Sequence, residues 1–373
     1  MLIHTVLLKV ASRCNINCSY CYVYNMGDEG WRDMPHLITS DKSELLFFRL
    51  EELSNEQSPP FAVVLHGGEP LMMGARRLEH LFRGLRESLS DKYPISMQTN
   101  GMLLNSQILD LCSDYRISIS VSLDGPQHVN DKFRVDHKEL GTFDRVVAGI
   151  QLLSNHPDAN FLFAGTLSVI EPNSDPREIY AFLKDLRSPS LDFLYRDGNH
   201  TNLPYGKQDF NSTEYGDWLS ALLNIYCADP SPPRIRFLDD LVRLALGQTG
   251  IKEGLGDNNY GILIIETDGS ITKNDTLKSA FNGADKFDNK WHLKSDALSS
   301  VISSDEFKNY HSMQRPSSTI CNQCSFLPIC GGGMPLHRWK AGTNFDNPSV
   351  YCNDQKKIIS AVVAKLQESG LAN

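Results

Sequence analysis

Along the first 200 residues, short continuous apolar runs alternate with segments whose apolar positions recur every three to four residues. The runs IHTVLLKV (3–10), FAVVLH (61–66), ISMQT (95–99), ISISVSL (117–123), FLFAGTLSV (161–169) and LDFLY (191–195) predict β-strands. Between them, segments near 40–54, 75–90, 105–114, 142–154 and 176–186 predict helices, several opening on Ser, Thr or Asp as capping residues. Strands separated by helices make βα units and a parallel sheet. Six such units over about 200 residues suit an incomplete barrel better than a closed one of eight. Ligands are then expected where the C-terminal ends of the strands meet the loops.

After Tyr195 the pattern changes. A polar stretch, RDGNHTNLPYGK (196–207), reads as a linker or substrate loop and leads into helical segments near 213–227 and 235–247. A hairpin is expected in GILIIETDGSITK (261–273), where Asp268-Gly269 is a strong turn signal between alternating strands. Beyond it come CNQCSFLPIC (321–330), the glycines Gly331 to Gly333, and an amphipathic helix near 353–368. These changes predict three regions: a partial barrel over 1–200, a helical bridging region over 201–255, and a metal-bearing unit over 256–373.

Charge and cysteine usage narrow the chemistry. The net charge of −9, with no dense Lys/Arg block, argues against a nucleic-acid partner, which would need many phosphate-neutralising cations. The longest apolar runs fall far short of the about 20 residues needed to cross a membrane. The opening LIHTVLLKVA lacks a basic n-region and a small-residue cleavage site, so a cytoplasmic protein that begins directly on its first strand is expected. Seven of the nine cysteines fall into two groups, at 14–21 and 321–352, and such clustering points to ligation rather than crosslinking. Cys112 and Cys227 lie in helix-like apolar patterns and read as small buried hydrophobes.

Cys14, Cys18 and Cys21 form C-x3-C-x2-C in the loop expected after the first strand. Thiolates so spaced suit zinc or an iron-sulfur cluster. Zinc asks for a fourth ligand, and residues 11–25 hold no further Cys or His; a cube cluster on three thiolates instead keeps one iron open to an exogenous chelator. At the end of the second strand stands GGEP (Gly67, Gly68, Glu69, Pro70), whose glycines let the backbone approach a ligand and whose carbonyls can receive an ammonium. TNG (99–101) and SLDG (122–125) close the third and fourth strands, and Arg134 follows. Each is an ordinary turn by itself. Together they fall at the C-terminal ends of successive strands.

In this order the motifs resemble the radical S-adenosylmethionine (SAM) superfamily. The resemblance implies that Cys14, Cys18 and Cys21 hold a [4Fe-4S] cluster whose fourth iron is chelated by SAM. It further implies that the backbone of Gly67, Gly68 and Glu69 receives the SAM amine, that Ser122 and Arg134 hold its carboxylate or ribose, and that Tyr20 lies beside the adenine. The C-terminal C-x2-C-x5-C of Cys321, Cys324 and Cys330, with Cys352, resembles the SPASM extension of radical SAM peptide maturases. Four thiolates complete an auxiliary [4Fe-4S] cluster with no open iron, and a structural zinc is the alternative. The fold implied is a partial (β/α)6 TIM-type barrel with a C-terminal SPASM-like iron-sulfur domain.

The chain departs from the fullest SPASM pattern of seven cysteines. Met334 stands four residues after Cys330, and Asn274 precedes Asp275 where that pattern carries Cys-Asp, so one auxiliary cluster is expected. The resemblance to SPASM enzymes implies that Asp275 is the general base, with a turn or N-cap carboxylate as the alternative. His66, inside an apolar run, reads as a packed strand-end residue. The combination CYVYN…WRD, NDTLK and CGGG…HRW…NPSVYC resembles the three-residue cyclophane, or triceptide, maturases of the Xye, Grr and Fxs type. That resemblance implies a ribosomally made precursor peptide, with leader and core, as substrate, and an external electron donor such as flavodoxin or ferredoxin. Leader recognition is then expected from the barrel, the C-terminal unit or another protein. Formylglycine formation, as in sulfatase-maturing relatives that use all seven cysteines, is the alternative reaction, and a non-catalytic metal-bound peptide-binding module is the remote third. Two cube clusters predict about eight irons per chain in anaerobically prepared protein; about twelve by iron analysis would overturn the reading of Met334 and Asn274.

Overall fold

The structure, a computed structural model, describes residues 1–257 and 260–371. In chain order the strands are β1 (Thr5–Ala11), β2 (Ile16–Cys18), β3 (Ala62–Gly67), β4 (Ile95–Thr99), β5 (Ile117–Ser122), β6 (Arg134–Asp136), β7 (Phe163–Val169), β8 (Ser190–Leu194), β9 (Arg234–Ile235), β10 (Ile262–Ile265) and β11 (Ile271–Thr272). The α/β architecture expected from the alternating pattern is present, with helices at 40–56, 75–88, 106–114, 143–154 and 176–185 between the strands. Contacts group the chain into two compact units. One gathers Met1–Leu123, Asn130–Thr166 and Gly261–Tyr310; the other gathers Asp124–Val129, Leu167–Tyr260 and His311–Asn373.

In the first unit the strands run in the order β11-β10-β1-β3-β4-β5, parallel except for β11. β1 is buried along almost its whole length, because a parallel strand is covered on both faces. The helix at 40–56 buries Leu46, Leu50 and Leu53, and that at 75–88 buries Leu78, Leu81 and Leu85, the three-to-four spacing of an apolar stripe. The two helices come close at Gly84, where a Cβ would lie 2.1 Å from the Phe47 ring. The hairpin expected at 261–273 forms as β10 and β11, and β10 pairs in parallel with β1 from Thr5↔Ile262 to Leu8↔Ile265. Chain from the last third thereby extends the sheet of the first. A small antiparallel ribbon, β2 with β6, sets Cys18 opposite Arg134.

In the second unit β8 pairs with β9, and helices at 176–185, 214–228, 236–245 and 352–368 pack together. Gly216 allows the close contact of two of them, since a Cβ there would lie 2.8 Å from the Cα of Asp354. Asp354 accepts the Gly216 N–H at 2.8 Å and pairs with Lys207 Nζ at 2.7 Å, both side chains being fully buried. Tyr195, Tyr215, Tyr351 and His337 form an aromatic core, with ring centroids of Tyr195 and Tyr351 4.4 Å apart. Among the described residues no helix is long and apolar enough to cross a membrane. Removing one member of a buried pair strands the other charge. Lys207→Met is therefore expected to cost about 3–5 kcal/mol at neutral pH, read from chemical denaturation midpoints; a loss under about 1 kcal/mol, the range of exposed pairs, would show that the pair is not holding this unit.

Candidate functional site

The first cysteine group lies in the loop that leaves β1. Cys18 ends β2, the Cys21 N–H donates to the Cys18 carbonyl at 3.0 Å, and the Asn25 amide donates to the same carbonyl at 2.8 Å, folding the loop back on itself. Asn100, from the TNG turn after β4, places its amide nitrogen 3.7 Å from Cys14 Sγ and 2.7 Å from Asn15 Oδ1. His137 reaches the Cys14 carbonyl at 2.9 Å. Burial pushes the Cys14 thiol up to about 12, with Glu69 adding to it and the Ile16 N–H opposing. Cys21 is likewise raised by burial, against backbone N–H groups of Tyr24 and Val23 and the charges of Lys9 and Arg134.

GGEP is bound into this loop. The Gly68 N–H donates to the Ala11 carbonyl at 2.7 Å and the Glu69 N–H to the Arg13 carbonyl at 3.0 Å. A Cβ at Gly67 would sit 2.2 Å from the Ala11 oxygen, and one at Gly68 2.1 Å from both the Arg13 oxygen and the Tyr24 hydroxyl. Chain packed on chain is thus what requires glycine here. The Glu69 side chain, 1% exposed, accepts from the Thr99 hydroxyl at 2.6 Å, the Leu71 N–H at 3.0 Å and the Asn100 N–H at 2.8 Å, locking the end of β3 to that of β4. Ser122 accepts from Gln98 at 2.8 Å, and Arg134 donates to the Tyr20 hydroxyl at 3.0 Å. Tyr20, Arg134 and the three cysteines are thus gathered around the β2–β6 ribbon.

Asp275 lies in a 3-10 turn after β11. Asn274 caps that turn, its side chain accepting the Thr276 N–H, which frees Asp275 for another role. Asp275 is 3% exposed, ion-paired with Lys9 and hydrogen-bonded to the Tyr22 hydroxyl at 3.1 Å. Lys9 lies 5.5 Å from the centre of the Tyr22 ring and stands in register with His66 on β3. Burial alone would raise the Asp275 carboxyl, but the ammoniums of Lys9 and Lys278 outweigh it and hold the group well below the usual carboxylate range. His66 is pulled down to about 4, first by burial and then by Lys9, so it is neutral at physiological pH; its Nδ1 has no partner. Lys9 and Tyr22 escaped the sequence reading. The available signal was a lone lysine in the buried run VLLKVA, where a charge persists only if paired.

The second cysteine group lies within the other unit. Cys330 Sγ is 3.1 Å from Gln355 Oε1, and Cys352 opens the 352–368 helix. Gly331, Gly332 and Gly333 all have positive φ, and the Gly332 N–H faces the Cys330 thiol, which burial pushes up to about 12. Arg338, 1% exposed, donates to the carbonyls of Met313 and Gln314 and puts its positive charge near Cys321 and Cys330. Met334 packs against Gly254, whose Cβ position would lie 3.2 Å from its sulfur.

Residues 8–183 match the Radical SAM superfamily, and the α/β fold is the radical SAM fold. The solved structure of native anSMEcpe with bound AdoMet shares this fold with a TM-score of 0.83 at 19% identity, over 98% of each chain. Streptococcus suis SuiB bound to precursor peptide SuiA shares it at 0.60 and 15% identity, over 94% of this chain and 76% of that one. In sequence, the cysteine-type anaerobic sulfatase-maturating enzyme of Clostridium novyi is 23% identical over 97% of this chain and 96% of its own. The serine-type enzyme of Bacteroides thetaiotaomicron is 25% identical over 90% and 83%.

The superfamily match implies SAM and a [4Fe-4S] cluster as cofactors. The residues present fit the cluster: three thiols in one loop, supplied with amide N–H groups and flanked by Arg134 and Lys9, suit an anionic iron-sulfur group. Among the described residues no group of three or more His, Cys, Asp or Glu is disposed to hold a single metal ion; a cube cluster instead binds each thiolate to a different iron, so its thiols stand apart. Gly68→Ala is expected to displace this loop and to halve the iron bound per chain, with circular dichroism unchanged. Full iron content in that variant would refute the packing role given to Gly68.

Proposed function

We propose that the chain is a radical SAM peptide maturase that takes a hydrogen atom from a side-chain β-carbon and joins that carbon to an aromatic ring two residues earlier, closing a three-residue cyclophane of the triceptide type. The bound cluster and SAM would supply the hydrogen-abstracting deoxyadenosyl radical. Cys14, Cys18 and Cys21 hold the cluster in this reading, with Gly67, Gly68 and Glu69 toward the SAM amine and Ser122 and Arg134 toward its carboxylate or ribose. Tyr20 would lie beside the adenine. Cys321, Cys324, Cys330 and Cys352 would hold one auxiliary cluster, and a flavodoxin or ferredoxin would deliver electrons.

The observation that carries the crosslinking choice is the filling of the two interrupted cysteine positions: Asn274 caps a turn and Met334 packs on Gly254. Chemistry at Asp275 is consistent with it. Once the β-carbon radical has added to the ring, the adduct must lose one electron and one proton to regain aromaticity. The oxidised adduct is a strong acid, so even a carboxylate of low basicity, held ionised by Lys9, is an adequate acceptor. The electron would leave to the auxiliary cluster. Tyr22 holds the carboxylate in place.

The whole-length similarity to sulfatase-maturating enzymes favours a second reading, oxidation of a Cys or Ser side chain to formylglycine. The first hydrogen abstraction is the same in both; only the fate of the β-carbon radical differs. Anaerobic co-production with the short peptide encoded beside the gene, followed by mass spectrometry, separates them. Crosslinking removes two hydrogens per ring and blocks fragmentation between the joined residues, whereas a product that reacts with hydrazide carries an aldehyde and would decide for formylglycine. Asp275→Asn is expected to lower product formation about 10²–10⁴-fold while deoxyadenosine still forms, the signature of a lost proton acceptor.

A further inference from the structure

A cavity of about 310 Å³ opens within the first unit, walled by Ala11, Ser12, Gly67 and Gly68 on one side and by the 266–292 segment on the other. Its floor is ionic. Lys278, 5% exposed, pairs with Glu266 at 2.9 Å and Asp285 at 3.4 Å. Asp28, 2% exposed, accepts backbone N–H groups from Gly30 and Gly283, both at 3.1 Å. The second buried ammonium, Lys9, is taken up by Asp275. Lys278 therefore pairs with two carboxylates, and Asp28 adds a third negative charge beside Asp285. Lys286 and Lys290 stand exposed at the mouth, where solvent screens them.

Two polar atoms on this floor have no partner. Asp285, 2% exposed, leaves Oδ1 unbonded, and Thr272, 6% exposed, leaves its hydroxyl unbonded. A buried acceptor without a donor is costly, and an excess of buried carboxylate more so. A donor carrying positive charge relieves both at once. Trp31 and Trp291 border the same space, and the Trp31 ring already carries the guanidiniums of Arg13 and Arg32 at 4.9 and 5.4 Å from its centre, which leaves Trp291 as the aromatic for a further cation. At the small end of the ~300–1,000 Å³ range of ligand cavities, the space suits one extended side chain and not a folded segment.

We propose that this cavity receives a cationic side chain, lysyl or arginyl, of the peptide substrate, with Asp285, Glu266 and Asp28 as its anionic floor. The inference rests on the reading that the substrate is a peptide. It adds that the peptide carries Lys or Arg close to the modified residue, because Gly67 and Gly68 form both a wall of this cavity and the support of the Cys14–Cys21 loop.

The test is binding to the anaerobic holoenzyme, by titration calorimetry or saturation-transfer NMR, of N-acetyl-arginine amide and N-acetyl-lysine amide against the neutral isostere N-acetyl-citrulline amide. Saturable binding of either cationic probe, at least about tenfold tighter than citrulline, is expected, as is about tenfold weakening in Asp285→Asn and in Glu266→Gln. Glu266→Gln serves as the second variant should Asp285→Asn fold poorly. Equal binding of cationic and neutral probes, no saturable binding, or unchanged affinity in both variants would overturn the assignment. The readout is binding without turnover, so its failure leaves the crosslinking reading standing. Conversely, an aldehyde product would remove the crosslinking reading and leave this binding intact.

Discussion

The buried ion pair of Lys9 and Asp275 is the constraint on which the first unit turns. Lys9 without Asp275 would be a buried charge with no ion-pair partner among the described residues, so the strand that carries Lys9 and the turn that carries Asp275 must meet. Their meeting fixes where the β10–β11 hairpin sits, since Asp275 follows β11 by only three residues. Tyr22 joins the same carboxylate, and Tyr22 is the residue after Cys21. One electrostatic requirement thus ties the N-terminal strand, the cysteine loop and a segment from residue 275 into a single arrangement.

Around that pair the backbone is packed to leave no latitude. Gly67 and Gly68 press against the carbonyls of Ala11 and Arg13, and Glu69 clamps two strand ends with three hydrogen bonds. A cluster bound by the Cys14–Cys21 loop would sit on a support that cannot yield, which is what positions a reactive group to better than an ångström. In the second unit the equivalent rigidity comes from different means. Lys207 and Asp354 hold the 352–368 helix, and Arg338 supplies a buried positive charge beside thiols whose ligated form is anionic.

Much of the architecture was legible in the chain. Short apolar runs located β3, β4 and β5, and the period-three-to-four pattern the helices between them, to within a few residues, because those elements bury defined apolar positions. The cysteine groups were legible from spacing alone. Lys9, Tyr22 and the ionic floor of Glu266, Lys278 and Asp285 were not. They are ordinary strand, loop and turn residues in sequence, and their chemistry arises only from burial beside groups far away in the chain.

What the sequence by itself determined is therefore local: element type, turn positions and the two thiol groups. Only the tertiary structure decided that β10 runs parallel beside β1, that Asp275 pairs with Lys9 instead of capping its turn, and that Glu266 and Asp285 share one lysine in a cavity. The reason is physical. Periodicity and spacing follow from bonds along the chain, whereas the ionisation and partnership of a buried charge depend on which distant segment excludes water from it.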